Sequence, residues 1–379
     1  MTALRRPALP EWVTPRLVAA TRWTALAVWA IVFAYDIDRN GIPYWRSDLL
    51  FWLAIGLLAW SVGKRNIFTV VIDFVPFAAV LIVYDYLRGI SDTLGMPTWW
   101  YPQIDVDKFL FFGTEPTVWL QAHLRYHDVQ WWDILVGLCY ISFFFLPYVT
   151  AAALWIRSRA DFYGWALRFV PLSFLAFVFF AIAPAAPPWA AARCAPSDVV
   201  GHPSNPPCMA FSSRTDGGLL GPMTGNRPGT HAWIDQIATR GLPPLHLRFA
   251  AQVINEGRIS ADAVAAVPSL HAGGILLFTL FMWNRVNKWW RPVLVFYPIF
   301  MGFTLVYSGE HYVADVLAGW FCAVFVHLAA SQFEWWRKGR RAADTLDADS
   351  PSTSSSPKDV ENPCPPTEQP LPETTPSST

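Results

Sequence analysis

Charge is scarce in this chain. Of 379 residues only 15% are Asp, Glu, Lys or Arg, where an average soluble domain carries about 25%. The 28 acidic and 28 basic residues cancel to zero, so no basic field is available to hold a nucleic acid. Lysine is nearly absent, with five among the 28 cations, the rest being arginine. Cysteine is scarce as well. The five present show no CxxC and no Cys/His spacing, so nothing suggests zinc. Cys139 and Cys322 fall inside apolar runs and read as small buried hydrophobes. What is abundant is the opposite: 54% apolar residues, with 21 Trp and 27 Phe. That composition excludes an ordinary water-soluble protein and points to one integral to a membrane.

A helix needs about 20 apolar residues to cross a hydrocarbon core of about 30 Å. Eight stretches meet or approach that length: about 17–35, 47–63, 67–87, 131–156, 163–183, 269–286, 289–307 and 311–333. The expected fold is all-α, a polytopic membrane bundle of about eight transmembrane helices. Trp131–Trp132, Trp289–Trp290 and Trp335–Trp336 flank spans, as an aromatic belt requires. Cations set the direction. With the N-terminus inside, the inner segments hold Arg5, Arg6, Arg16 and Arg22, then Lys64 and Arg65, then Arg157 and Arg159. Arg285, Lys288 and Arg291 follow, and then Arg337, Lys338, Arg340 and Arg341. Both termini are therefore expected in the cytoplasm of a bacterial cell. The first span has no cleavage pattern after it and reads as a retained anchor.

Two segments fall outside on this topology. Residues 88–130 include an amphipathic stretch from Glu115 to Asp128, expected to lie along the interface. Residues 184–267, between helices five and six, are rich in Pro, Gly and short polar side chains and are expected to form an irregular external cap. Cys194 and Cys208 share that cap, where a disulfide is permitted. Of the 38 residues from 342 to 379, 21 are Pro, Ser or Thr, so that tail is expected to be disordered. The domain plan is 1–104 for the N-terminal helices, 105–333 for a catalytic membrane domain, and 342–379 for the tail.

Ionisable groups at the ends of apolar spans are costly and are default candidates for function. Span six opens Val267-Pro268-Ser269-Leu270-His271, and span eight opens Gly309-Glu310-His311-Tyr312-Val313-Ala314-Asp315. His311 and Asp315, four apart, share a helix face. The carboxylate can hold one ring nitrogen and leave the other as nucleophile or base. His271 precedes His311 by 40 residues, about one span down and one span back. Both histidines thus belong to the external end of the bundle. The other histidines carry less. His123 and His127 are also four apart and could hold a metal, but an amphipathic surface helix explains them without a third ligand. His327 reads as an interfacial polar group, and His202, His231 and His246 show no spacing signal.

Pro268-Ser269-Leu270-His271 followed by His311-Tyr312-x-x-Asp315 resembles the type 2 phosphatidic acid phosphatase superfamily, and within it the inositol phosphorylceramide synthase branch of inositolphosphotransferase-like proteins. Phe112-Gly113-Thr114-Glu115-Pro116, Trp119-Leu120-Gln121, Pro184-Ala185-Ala186-Pro187-Pro188-Trp189 and Val264-Ala265-Ala266 carry the same resemblance, which covers roughly 105–330. It implies phosphoryl transfer without a metal or cofactor: His311 attacks phosphorus, Asp315 supports it, and His271 protonates the leaving oxygen. Ser269, at a helix N-terminus, would donate to a phosphate oxygen.

The chain departs from the superfamily pattern at two cations. Leu220 stands where a Lys is usual seven residues before Arg227-Pro228, and Leu305 where an Arg is usual six residues before His311. The synthase branch also lacks the second. The charge that a phosphoryl transition state requires must then come from the cap, which offers Arg193, Arg214, Arg227, Arg240, Arg248 and Arg258; Arg193 and Arg227 are the favoured substrate-binding pair. Three functions follow: transfer of a phospho-head group such as inositol phosphate between lipids, hydrolysis by the same mechanism, or a scaffold without catalysis. The intact His271, His311 and Asp315 set argues against the last. The partners are lipids of the bilayer and the membrane itself, with no nucleic acid.

Overall fold

The computed structural model describes residues 14–41, 43, 45–88, 94–212, 214–223, 228–230, 234–245, 247 and 263–349, with 342–349 described by backbone alone. Each of the eight apolar stretches is helical. They are α1 (Pro15–Asn40), α2 (Arg46–Ser61), α3 (Phe68–Arg88), α6 (Trp131–Arg157), α7 (Arg159–Ile182), α9 (Leu270–Met282), α10 (Arg291–Tyr307) and α11 (Val313–Asp349). Local chemistry starts them. Thr14 accepts from the Leu17 N–H ahead of Pro15, Ser158 accepts from Asp161 N–H, and Asp133 reaches back to the Gln130 N–H, the side-chain caps that helix N-termini require. Six of these segments are long and apolar enough to cross a membrane. Helix α2, with 16 residues, and α9, with 13, are shorter.

The shortness of α9 has a packing explanation. Thirteen residues reach only about 20 Å, and irregular backbone at membrane depth survives only where protein surrounds it. α9 is packed among α6, α7 and α10, with Ile275, Leu277 and Phe281 in a core shared with Phe143, Trp165, Phe169 and Met301. Against α11 the approach is closer. A Cβ on Gly319 would lie 2.2 Å from the Ser269 carbonyl oxygen, and one on Gly273 would lie 2.7 Å from that of Gly319. Paired glycines let two helix backbones meet in this way. α1 differs, with no buried residue along its length; its apolar side chains are left for lipid.

Two short helices lie between α3 and α6: α4 (Pro102–Leu110) and α5 (Pro116–Leu124). The expected interfacial stretch is helical only as α5, and α4 carries no apolar run that marked it. Gln121 on α5 is fully buried and donates to the Tyr307 and Asp235 carbonyls, so one face of α5 packs into the protein, while Trp119 on the same helix stays exposed. The cap, irregular as expected, is tied down. It contains α8 (Pro188–Ala191), short 3-10 turns and a disulfide between Cys194 and Cys208, Cα atoms 5.1 Å apart. Its apolar side chains Ala190, Ala191, Val199, Met209 and Leu219 form a second core with Trp100, Ile104 and Tyr312.

The turns assigned to the inner side come together at one end. Arg65 donates to the Trp155 and Ile156 carbonyls, Arg159 pairs with Asp73, and Arg285 lies 3.3 Å from Asp161. The C-terminal unit begins at Gln332. Within it the helix continues to Asp349, so residues 342–349, assigned to the disordered tail, are helical; the remainder of that tail lies outside the described residues.

Candidate active site

Ser269 caps α9: its hydroxyl oxygen accepts from the Ala272 N–H at 3.3 Å, and its own N–H donates to the Asp315 carbonyl at 3.0 Å. That second bond and the Gly273–Gly319 contact lash the two helix starts together. His271 stands one position into α9 and His311 two positions before α11. Their ring centroids lie 5.8 Å apart. The chain reaches His311 through Gly309, whose φ of +74° belongs to glycine. The His311 and Glu310 N–H groups then donate to the carbonyl of Leu305.

Asp315 is fully buried, and its Oδ2 sits 3.4 Å from His311 Nδ1, an ion-pair distance longer than a hydrogen bond. The same oxygen accepts the Tyr312 N–H at 2.9 Å. His271 is boxed by the aromatic rings of α6, with Phe143, Tyr140 and Phe144 at centroid distances of 4.2, 5.2 and 5.4 Å. One histidine therefore faces a carboxylate and the other an apolar wall.

Behind this pair lie two carboxylates that the sequence reading did not separate from their surroundings. Asp107 on α4 is fully buried and accepts from the Val313 and Ala314 N–H groups at 2.9 and 2.8 Å. Glu115, 5% exposed, caps α5 by accepting from Thr117 and Val118 N–H. Burial, with Asp315 adding to it, holds the Asp107 carboxyl up at about 6 against the pull of its two N–H donors. Burial and the neighbouring Asp107 push Glu115 further, to about 8.

The expected phosphate ligands divide. Arg193 is linked to the chain before His311 through a neighbour: its Nη1 donates to the Met209 carbonyl and its guanidinium covers the ring of Trp189, whose backbone N–H donates to the Gly309 carbonyl. Arg214 is taken up by Asp216, and Arg240 by Asp133 with the Tyr126 and His127 carbonyls. Arg227, Arg248 and Arg258, with His231 and His246, lie outside the described residues. Leu220 and Leu305, standing at the two departed cation positions, are buried at 5% and 0% exposure and serve packing. His123 is stacked on Trp119 and bonded from Nδ1 to its carbonyl, while His127 is solvent-exposed beside Asp128. Nothing in the sequence foretold the aromatic box or the reach of Asp107, because both arise between segments distant in the chain.

Residues 104–329 match the PAP2 superfamily. A phosphoinositol dihydroceramide synthase of Bacteroides thetaiotaomicron is 25% identical over 287 residues, covering 74% of this chain and 82% of that one. No solved structure matches. With that match running from α4 to the last residues before Ala330, the chain belongs to the PAP2 superfamily, as an integral membrane enzyme that acts on phospholipids by phosphotransfer or phosphate release.

Proposed function

We propose that this enzyme moves an inositol-phosphate-like head group from a phospholipid donor to a lipid alcohol through a phosphohistidine at His311. The observation that carries the reading is the approach of the His271 and His311 rings, 5.8 Å between centroids, with Asp315 buried against the second. Asp315 faces Nδ1 of His311, which turns Nε2 toward phosphorus as the nucleophile. That nitrogen forms the P–N bond as the P–O bond to the diacylglycerol oxygen breaks, and His271 supplies the proton to that oxygen. In the second half His271 takes the proton from the acceptor hydroxyl, whose oxygen attacks phosphorus and releases His311. Arg193 is the cation proposed to meet the developing charge, and Arg227 a second. Ser269 is proposed as a phosphate-oxygen donor.

The name of the Bacteroides relative supports transfer to a sphingoid-type acceptor. The aromatic box around His271 supports it too, since an apolar wall favours a lipid alcohol over water. The catalytic end is proposed to face outward from a bacterial cytoplasmic membrane, because the cation-rich turns gather at the opposite end. The test is direct: purified enzyme is given head-group-labelled phosphatidylinositol with dihydroceramide, a polyprenol or no acceptor. A new labelled lipid supports transfer, whereas water-soluble inositol phosphate alone supports hydrolysis and overturns it.

A further inference from the structure

The entry to α11 is held from outside its own segment. A helix start is ordinarily capped by a residue one to three positions ahead of it, yet here the cap comes from α4, 206 and 207 residues away. Three successive N–H groups, those of Tyr312, Val313 and Ala314, are consumed by two buried carboxylates. Asp315 takes the first and Asp107 the other two. These are the N–H groups of the residues between His311 and Asp315, so their bonds fix the backbone across which the two side chains meet. Asp107 touches neither histidine.

We propose that Asp107 is a positioning residue for phosphoryl transfer: by binding the Val313 and Ala314 N–H groups it holds the turn from His311 to Asp315 in the geometry that aims His311 at phosphorus. The inference rests on the reading of His311 as nucleophile. It explains why a fully buried carboxylate is kept beside a second one, Asp315, with backbone donors as its partners. Among the described residues, the titratable groups around Asp107 are Asp315 and Tyr312 at the start of α11, Glu115 at the start of α5, and Lys108 on its own helix. Glu115, held up at about 8, is neutral where Asp107 titrates. Protonation of Asp107 near pH 6 converts one acceptor oxygen into a donor facing an N–H group, so positioning weakens as pH falls.

The experiment follows transfer of the labelled head group from phosphatidylinositol to dihydroceramide in mixed micelles between pH 4.5 and 8, using the full chain and its Asp107→Asn, Val313→Pro and His311→Ala variants. Asp107→Asn is expected to lower kcat by about 10–10² with KM within about twofold, the scale of a small misplacement of a reacting group, and to lose the acid limb near pH 6. If that variant does not fold, Val313→Pro stands in for it. Proline is accommodated at the first position of a helix and removes one of the two donors while leaving the carboxylate; a smaller fall in kcat is expected. Wild-type kcat and acid limb in Asp107→Asn, or wild-type kcat in Val313→Pro, overturn the inference, as does a loss carried by KM alone. An active His311→Ala overturns the underlying reading instead. An inactive one leaves that reading standing whatever Asp107→Asn does.

Discussion

Asp73 and Asp107 are the same residue type, both fully enclosed, and they are treated in opposite ways. Asp73, at the cation-rich end, accepts from Arg159, the Tyr163 hydroxyl and the Trp155 indole N–H. Its charge is matched by a charge. Asp107 and Asp315, at the end that carries His271 and His311, are held by backbone N–H groups and a histidine, with no arginine among the described residues paired to either. A matched buried ion pair fixes helices to one another and has little left to give. A carboxylate without an arginine partner keeps its field for what comes near it, which is what the nucleophilic imidazole proposed for His311 and its phosphorylated form would require. The two ends differ in the kind of donor and not in burial, so burial alone does not single out a candidate functional carboxylate.

Removing the proposed nucleophile should separate the ends most sharply. His311→Ala is expected to abolish turnover and any acid-labile phosphoenzyme while leaving thermal unfolding in detergent near that of the wild type. Asp315→Asn keeps the shape but loses the charge against His311, and a fall of about 10³–10⁴ in kcat is expected by analogy with a triad aspartate. A fall of less than tenfold would show that His311 works without it. His271→Ala should cost about 10²–10⁴ with a lipid leaving group and far less with a nitrophenolate ester, which leaves without a proton. Equal losses with both would remove His271 from the acid role.

At the other end the effect should fall on stability. Asp73→Asn leaves Arg159 facing a neutral amide. Breaking a fully buried pair costs about 3–5 kcal/mol, but Arg159 is 41% exposed, so water screens it and about 1–3 kcal/mol is expected. The activity of the protein that remains folded should not change; a drop in kcat per folded molecule would break the comparison.

The effect confined to high pH belongs to Glu115, which binds its proton more tightly folded than unfolded. The stability that this contributes is present below the unfolded value of 4.5 and is lost as pH rises through about 8. Glu115→Gln should therefore match the wild type near pH 4.5 and unfold at a higher temperature above pH 8, by an amount on the order of a few kcal/mol at most. Parallel pH profiles for the two proteins would show that the carboxyl is not held neutral.

Much of the site could be read from the chain. His311 and Asp315 lie four residues apart, although α11 starts only at Val313 and leaves His311 ahead of the helix, and His271 precedes His311 by 40 residues, so spacing and span length placed all three at one end of a bundle. The Cys194–Cys208 disulfide also agreed with their shared loop. The helical continuation to Asp349 was missed because Pro, Ser and Thr crowd the residues after it and set the character of the tail, whereas 342–349 hold only Ala, Asp, one Thr and one Leu. Asp107 and Glu115 were hidden for another reason: a carboxylate in a short polar segment looks like any solvated charge until something covers it.

The sequence by itself determined that this chain lives in a membrane and that His271, His311 and Asp315 belong to one end of its bundle, because apolar length and residue spacing are local properties that no partner can alter. Only the tertiary structure decided how they are held. Asp107 finds the Val313 and Ala314 N–H groups from 206 and 207 residues away, and Phe143 closes on His271 from another helix. Such contacts depend on which helices the glycines of α9 and α11 allow to touch, and close packing between distant segments leaves no periodic trace in a chain read one residue at a time.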